Sequence, residues 1–268
     1  MPRARVLRAA KIAFGVAAAV FVVVAVISQW GALRAAAASA QPRWGYLVLS
    51  CAVVLATYGL QIEAWRTLLR GWGGSLGYWE SARIWTVSNL GRYIPGKVWA
   101  IGSLAVMAQA RGVSGAVAVG ASLAMQLIYT VAGFVVLAAT GAGILELPPA
   151  AIVLIVLAGV AVLAAPRFLP WAGRLAGRIV GRDITIPRMP HSAIWIGAAI
   201  SLAAWVLYGI AFRILALGVL PAAPGSTGLY IAIYTSSYLA GFLALIAPGG
   251  VGVREVVMAG ALRGAGFG

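Results

Sequence analysis

Hydrophobic positions along this chain run in uninterrupted blocks of roughly the 20 residues that one helix needs to cross a bilayer. They do not alternate as a strand would, nor stripe one face as in a surface helix. The blocks fall at residues 12–28, 46–65, 116–144, 150–165 and 192–217. Two further blocks are interrupted. Residues 78–110 break at Gly91 and again at Ile94-Pro-Gly-Lys97, leaving pieces of about 13 residues that each rise about 20 Å and do not span alone. Residues 229–246 run into Pro248-Gly249-Gly250, and the piece that follows, 251–262, is again too short to cross. The pattern predicts an all-α polytopic integral membrane protein with about five full spans and two re-entrant, broken-helix hairpins. It forms one transmembrane domain over residues 1–268, with no soluble domain.

Composition agrees: 63% of residues are hydrophobic, 9% are charged and mean hydropathy is +0.99, outside the range of soluble domains. The net charge of +15 does not point to nucleic acid, because the cations sit at the ends of apolar runs and in short loops. It reports orientation instead. With the N-terminus and the basic loop of Arg167, Arg174, Arg178, Arg182 and Arg188 in the cytoplasm, Arg66, Arg70 and Arg111 also fall inside, and Arg34 and Arg43 outside. That places the protein in the cytoplasmic membrane. The first apolar run is longer than the ~7–15 residues of a signal-peptide core, so an uncleaved first span is expected. In the basic loop, glycines and arginines recur every fourth residue, suiting an interfacial helix whose arginines either only satisfy the orientation rule or gather anionic headgroups.

This topology puts both ends of 78–110 on the cytoplasmic side and brings 229–262 in from the opposite face. The two hairpins then oppose each other. Their second halves run alike, Pro95-Gly-Lys-Val leading to Ala110-Arg-Gly112 and Pro248-Gly-Gly-Val leading to Leu262-Arg-Gly264. An inverted repeat with broken helices meeting at mid-membrane accounts for this; two convergent Pro-Gly kinks in a bundle are the alternative.

The hairpin tips hold the candidate chemistry. Arg92, Lys97 and Arg254 supply positive charge and Glu255 a negative one, so meeting tips would attract an anion. Guanidinium forks match phosphate and lysine adds a point charge. Gly96, Gly249, Gly250 and Gly252 let backbone amides approach the same oxygens, and Asn89 and Tyr93 complete the polar set. Glu255 has two readings: a structural ion pair with Arg92 or Lys97, or a gating and proton-coupling group. Cys51 and His191 are each alone of their kind. No disulfide, metal site, cofactor site or catalytic triad can be assembled, and no enzyme is expected. Trp30, Trp44, Trp65, Trp72, Trp79, Tyr78 and Trp171, at span ends, read as interface anchors, and Arg213 as a cation reaching toward the membrane surface.

At Gly91-Arg-Tyr-Ile-Pro-Gly-Lys-Val-Trp99 and Ala247-Pro-Gly-Gly-Val-Gly-Val-Arg-Glu255, and more weakly at Glu63-Ala-Trp-Arg-Thr-Leu-Leu69, the chain resembles the lysylphosphatidylglycerol synthase transmembrane, or flippase-like domain, family. These motifs bracket nearly the whole chain. The resemblance implies a lipid-handling membrane domain, coupled in some members to lipid aminoacylation or glycolipid pathways. The family usually continues with more hydrophobic sequence beyond the Arg-Glu pair than follows Glu255 here. No aminoacyl-transferase domain accompanies it, so lysylation by this chain is not expected. The leading expectation is binding and translocation of an anionic lipid or lipid-linked phosphate. The rivals are a membrane subunit that docks a glycosyltransferase or lipid-modifying enzyme, and a lipid-modifying enzyme with Glu255 as base.

Overall fold

A computed structural model describes residues 27, 30, 31, 34, 42–93, 99–145, 149–150, 153–164, 189–220, 223–244 and 248–266, with the side chains at 92, 93, 99, 142–145 and 248 excepted. The described residues form helices without strands: α1 (Trp44–Gly71), α2 (Tyr78–Asn89), α3 (Trp99–Gln109), α4 (Gly115–Leu145), α5 (Val153–Ala164), α6 (His191–Val219), α7 (Thr227–Leu243) and α8 (Val253–Gly264). Three are long and apolar enough to cross a membrane: α1, α4 over Gly115–Gly141, and α6. The expected first span lies almost wholly outside the described residues, as does the basic loop, and the expected return span is represented by the shorter α5.

The three long helices make a frame whose direction follows from named contacts. Arg43 N–H donates to the Gly218 carbonyl at 2.9 Å and Ser50 Oγ to the Ala211 carbonyl at 2.9 Å. At the far end of α1, Gly71 lies against Met189 and Ala193. Helices α1 and α6 are therefore antiparallel along their whole length. Gly120 of α4 faces Trp72, and Gly133 faces Trp205, so α4 runs parallel to α6. Small residues set these approaches: a Cβ at Gly209 would fall 2.5 Å from the Ile231 Cα. Close backbone approach is how helices associate where lipid tails offer no hydrophobic drive.

Polarity is distributed as lipid requires. Val48, Leu55, Leu154, Leu157, Trp195 and Ile196 are exposed, whereas Thr57, Gln61, Ser122, Ser201, Thr235 and Ser237 are buried. In a bilayer, polar groups turn inward, where protein partners replace water. Trp44 and Trp79 stand out at helix starts, as anchors do. Trp65 does not: it is fully buried, its Nε1 donating to Ser122 Oγ at 3.2 Å. The helix continues to Gly71, so a residue at the end of the apolar run lies well inside the frame and faces α4 rather than the interface.

Both interrupted blocks are broken helices. Helix α2 ends in a 3-10 turn, Leu90–Tyr93, and packs against α3; α7 is followed by a 3-10 turn, Pro248–Gly250, and packs against α8. The pairs start at opposite ends of the frame. Arg66, near the C-terminal end of α1, donates from Nε and Nη2 to the Leu76 carbonyl at 3.3 and 3.2 Å and lies over the Tyr78 ring. Helix α7 instead starts beside the C-terminal half of α6, where Arg213 donates to Thr227 Oγ1. Arg213, expected to reach toward the surface, thus secures a helix start.

The charges at the first pair's base are mutually engaged. Glu63 pairs with Arg66 and Arg70, and Glu80 with Arg111 at 2.5 Å, joining the two legs where they begin. The Glu80–Arg111 partners are close to half exposed, at 43% and 48%. Glu80→Gln should therefore cost less than about 1 kcal/mol, read as a small fall in the thermal unfolding midpoint in detergent.

Candidate functional site

The two breaks meet. The turn Leu90–Tyr93 lies against Pro248–Gly250, so the tips of helix pairs that begin at opposite ends of the frame come together. Glycine makes the second tip possible. Gly249, Gly250 and Gly252 have φ of 61°, 77° and 88°, the left-handed region that other residues enter only with strain. Gly250 also packs against the α7 backbone: a Cβ there would sit 2.7 Å from the Gly241 carbonyl oxygen.

Helix α8 starts immediately after this turn and carries Arg254 in its first turn. The side-chain stem of Arg254 lies over Gly241, where a Cβ would run into its Cγ and Nε. Its guanidinium sits 4.0 Å from the centroid of the Tyr238 ring. The Nε is buried without a hydrogen-bond partner among the described residues. An aromatic face stabilises such a cation through the ring quadrupole. Tyr238 itself meets Trp205 edge-on at 5.2 Å, midway along α6, which places the half-buried Arg254 near the level of that helix's middle. Glu255 is exposed and points back along its own helix, accepting the Gly252 N–H at 2.6 Å. This satisfies one of the free amides at the α8 N-terminus. The expected pairing of Glu255 with Arg92 or Lys97 falls on side chains outside the described set.

Beside the tips is a cavity of about 290 Å³ bounded by α1, α2, α3, α4, α6 and α7. Asn89, at the end of α2, and Tyr238 line it, connecting it to both tips; the Asn89 amide donates to the Trp85 carbonyl at 2.9 Å. Its wall includes Tyr129, Tyr208, Tyr234 and Tyr238; Tyr208 stacks on Tyr234 at 5.5 Å, and behind the wall Trp205 stacks on Tyr129 at 4.5 Å and donates from Nε1 to the Tyr129 carbonyl at 2.8 Å. Gln61, Gln126 and Ser122 add uncharged polar groups from α1 and α4. Among the described residues no cluster of His, Cys, Asp and Glu could hold a metal.

Of the residues singled out in the sequence, Asn89, Gly249, Gly250, Gly252, Arg254 and Glu255 are described around one meeting point. Arg92 and Tyr93 contribute their backbone to the first turn, and Gly96 and Lys97 lie outside the described residues. Sequence reasoning missed the cavity's polar wall, Gln61, Gln126 and the tyrosines. Its signal was present: Ser50, Thr57 and Gln61 recur at intervals of seven and four within an apolar run, as do Ser122, Gln126 and Thr130 at intervals of four. Such spacing marks an inward helix face.

A frame of apolar-faced long helices, packed with broken helices around a largely apolar cavity that carries uncharged polar groups, defines a multi-pass helical membrane protein. Residues 9–268 match the family described as the lysylphosphatidylglycerol synthase TM region, and the chain belongs to that family. The family is generally a non-catalytic, flippase-like membrane domain. No curated protein and no solved structure gives a match.

Proposed function

We propose that this protein binds the phosphate of an anionic lipid or lipid-linked phosphate where its two tips meet, and carries the headgroup across the cytoplasmic membrane. The observation that carries the reading is the contact of the two broken-helix turns beside the cavity, with Arg254 held there on an aromatic ring and by no described carboxylate. In this reading the helix pairs are re-entrant from opposite faces, and the N-terminus is cytoplasmic. Arg254, Arg92 and Lys97 hold phosphate oxygens, while the amides of Gly96, Gly249, Gly250 and Gly252 and the side chains of Asn89 and Tyr93 complete the cradle. Helix α8 aims its N-terminus at the same point, adding partial positive charge. Glu255 keeps the first turn of α8 closed by accepting the Gly252 N–H.

The test is headgroup translocation by the purified chain in proteoliposomes containing phosphatidylglycerol. Arg254→Gln should slow it at least about tenfold, the loss of one charge-assisted hydrogen bond, while the protein still elutes as a single species. An unchanged rate removes Arg254 from the site. A folded chain that moves no lipid but co-purifies with a stoichiometric glycosyltransferase would make it a docking subunit instead.

A further inference from the structure

Resting on that reading, we infer that the cavity takes a neutral, hydroxyl-rich headgroup, a sugar or cyclitol ring carried on the phosphate, and rejects a cationic aminoacylated one. No described lining residue is charged. The described carboxylates are all engaged elsewhere, Glu63 with Arg66 and Arg70, Glu80 with Arg111 and Glu255 with its own helix. An ammonium in this space would find no described counter-charge, and Arg254 behind Tyr238 would repel it.

The wall is largely apolar, and the polar groups it does offer are uncharged, the carboxamides of Gln61 and Gln126 among serine and tyrosine hydroxyls. Gln61 is 5% exposed, lines the cavity and makes no hydrogen bond to a described residue, so its donors and acceptor await a guest. Gln126 spends one N–H on Thr130 Oγ1 at 3.2 Å and keeps its carbonyl and second N–H. An amide presents donor and acceptor together, the complement of vicinal hydroxyls that both give and accept. Tyr58 and Tyr238 add aromatic surface of the kind on which the C–H face of a ring packs. An acyl chain would leave Gln61 unsatisfied, at a desolvation cost that a hydroxyl avoids. The volume, about 290 Å³, sits at the lower edge of the range of about 300–1,000 Å³ common for small-molecule sites. It suits one ring rather than an oligosaccharide.

Native mass spectrometry of the purified full chain, titrated with lipids, tests this. The probes are phosphatidylinositol, a hexosyl-phosphoryl-polyprenol, phosphatidic acid, lysyl-phosphatidylglycerol and phosphatidylcholine. Phosphatidylinositol, the hexosyl lipid or both should be held more tightly than phosphatidic acid, with the lysyl lipid weaker than either; the tighter of the first two identifies the source of the ring. Gln61→Leu, which removes an unpaired buried amide and so leaves the fold intact, should weaken the ring-bearing lipid on the order of tenfold, one to two neutral hydrogen bonds. It should leave phosphatidic acid unchanged. Arg254→Gln should weaken every anionic probe. Tight binding of the lysyl lipid, or an unaltered ring-bearing lipid in Gln61→Leu, overturns the headgroup class, while a loss of all anionic probes in Arg254→Gln would keep the phosphate reading. Failure to separate any anionic probe from phosphatidylcholine sinks both.

Discussion

Gly250→Ala is expected to abolish the well-folded protein. Two costs coincide at this position. The φ of 77° lies in the left-handed region, where a Cβ costs about 1–2 kcal/mol. The new methyl also falls 2.7 Å from the Gly241 carbonyl oxygen, an atom of the α7 backbone that cannot rotate away. Overpacking of this kind adds about 1–3 kcal/mol. Because Gly250 contacts α7 while its turn meets Leu90–Tyr93, relief can come only by separating α8 from α7 or one tip from the other. Size-exclusion of the solubilised variant should show aggregation, or a thermal midpoint far below the parent's. Gly260→Ala is the matched control, since a Cβ there meets nothing within 4 Å. A parent-like Gly250→Ala profile would mean that the second tip is not packed as described.

Trp205→Ala should be the most damaging substitution in the long helices. Its ring is fully buried, stacks on Tyr129, meets Tyr238 edge-on and covers Gly133, so the void would open among three helices at once. Truncation of a buried tryptophan costs about 3–5 kcal/mol. Much of that loss is packing, which drives helix association in lipid. Trp205→Phe keeps a ring and loses the 2.8 Å bond from Nε1 to the Tyr129 carbonyl, a smaller cost of about 1 kcal/mol. Thermal unfolding in detergent should therefore rank parent, Phe and Ala in that order. Equal midpoints for Phe and Ala would assign the stability to the hydrogen bond and not to the ring.

The breaks in the helices are legible in the sequence because proline and glycine act locally. Pro248-Gly249-Gly250 stops a helix wherever it occurs, and the short apolar pieces beside each break show that neither crosses alone. That the two breaks would touch is readable only through charge: the placement of Arg66, Arg70 and Arg111 against Arg43 gave opposite entry points. Those groups now lie toward opposite ends of the frame, with Gly71 near Ala193 and Arg43 bonded to Gly218. Trp65 was misjudged because the apolar block ends there, although the helix continues to Gly71 on residues whose charges Glu63 balances. The cavity wall was hardest to see. Its polar side chains come from several helices, one or two from each, and only packing brings Gln61 and Gln126 onto the same space.

The seat of Arg254 has a consequence for how an anion arrives. A guanidinium held by a carboxylate must give up that internal rival before it can take another negative ligand, and exchange is slowed by the separation. Arg254 rests on a π-face, which competes for none of the lone pairs or protons that a phosphate would use. If Arg254 holds phosphate as proposed, the incoming anion meets no rival carboxylate among the described residues and contends with mobile chloride, so its apparent affinity should weaken as salt is raised.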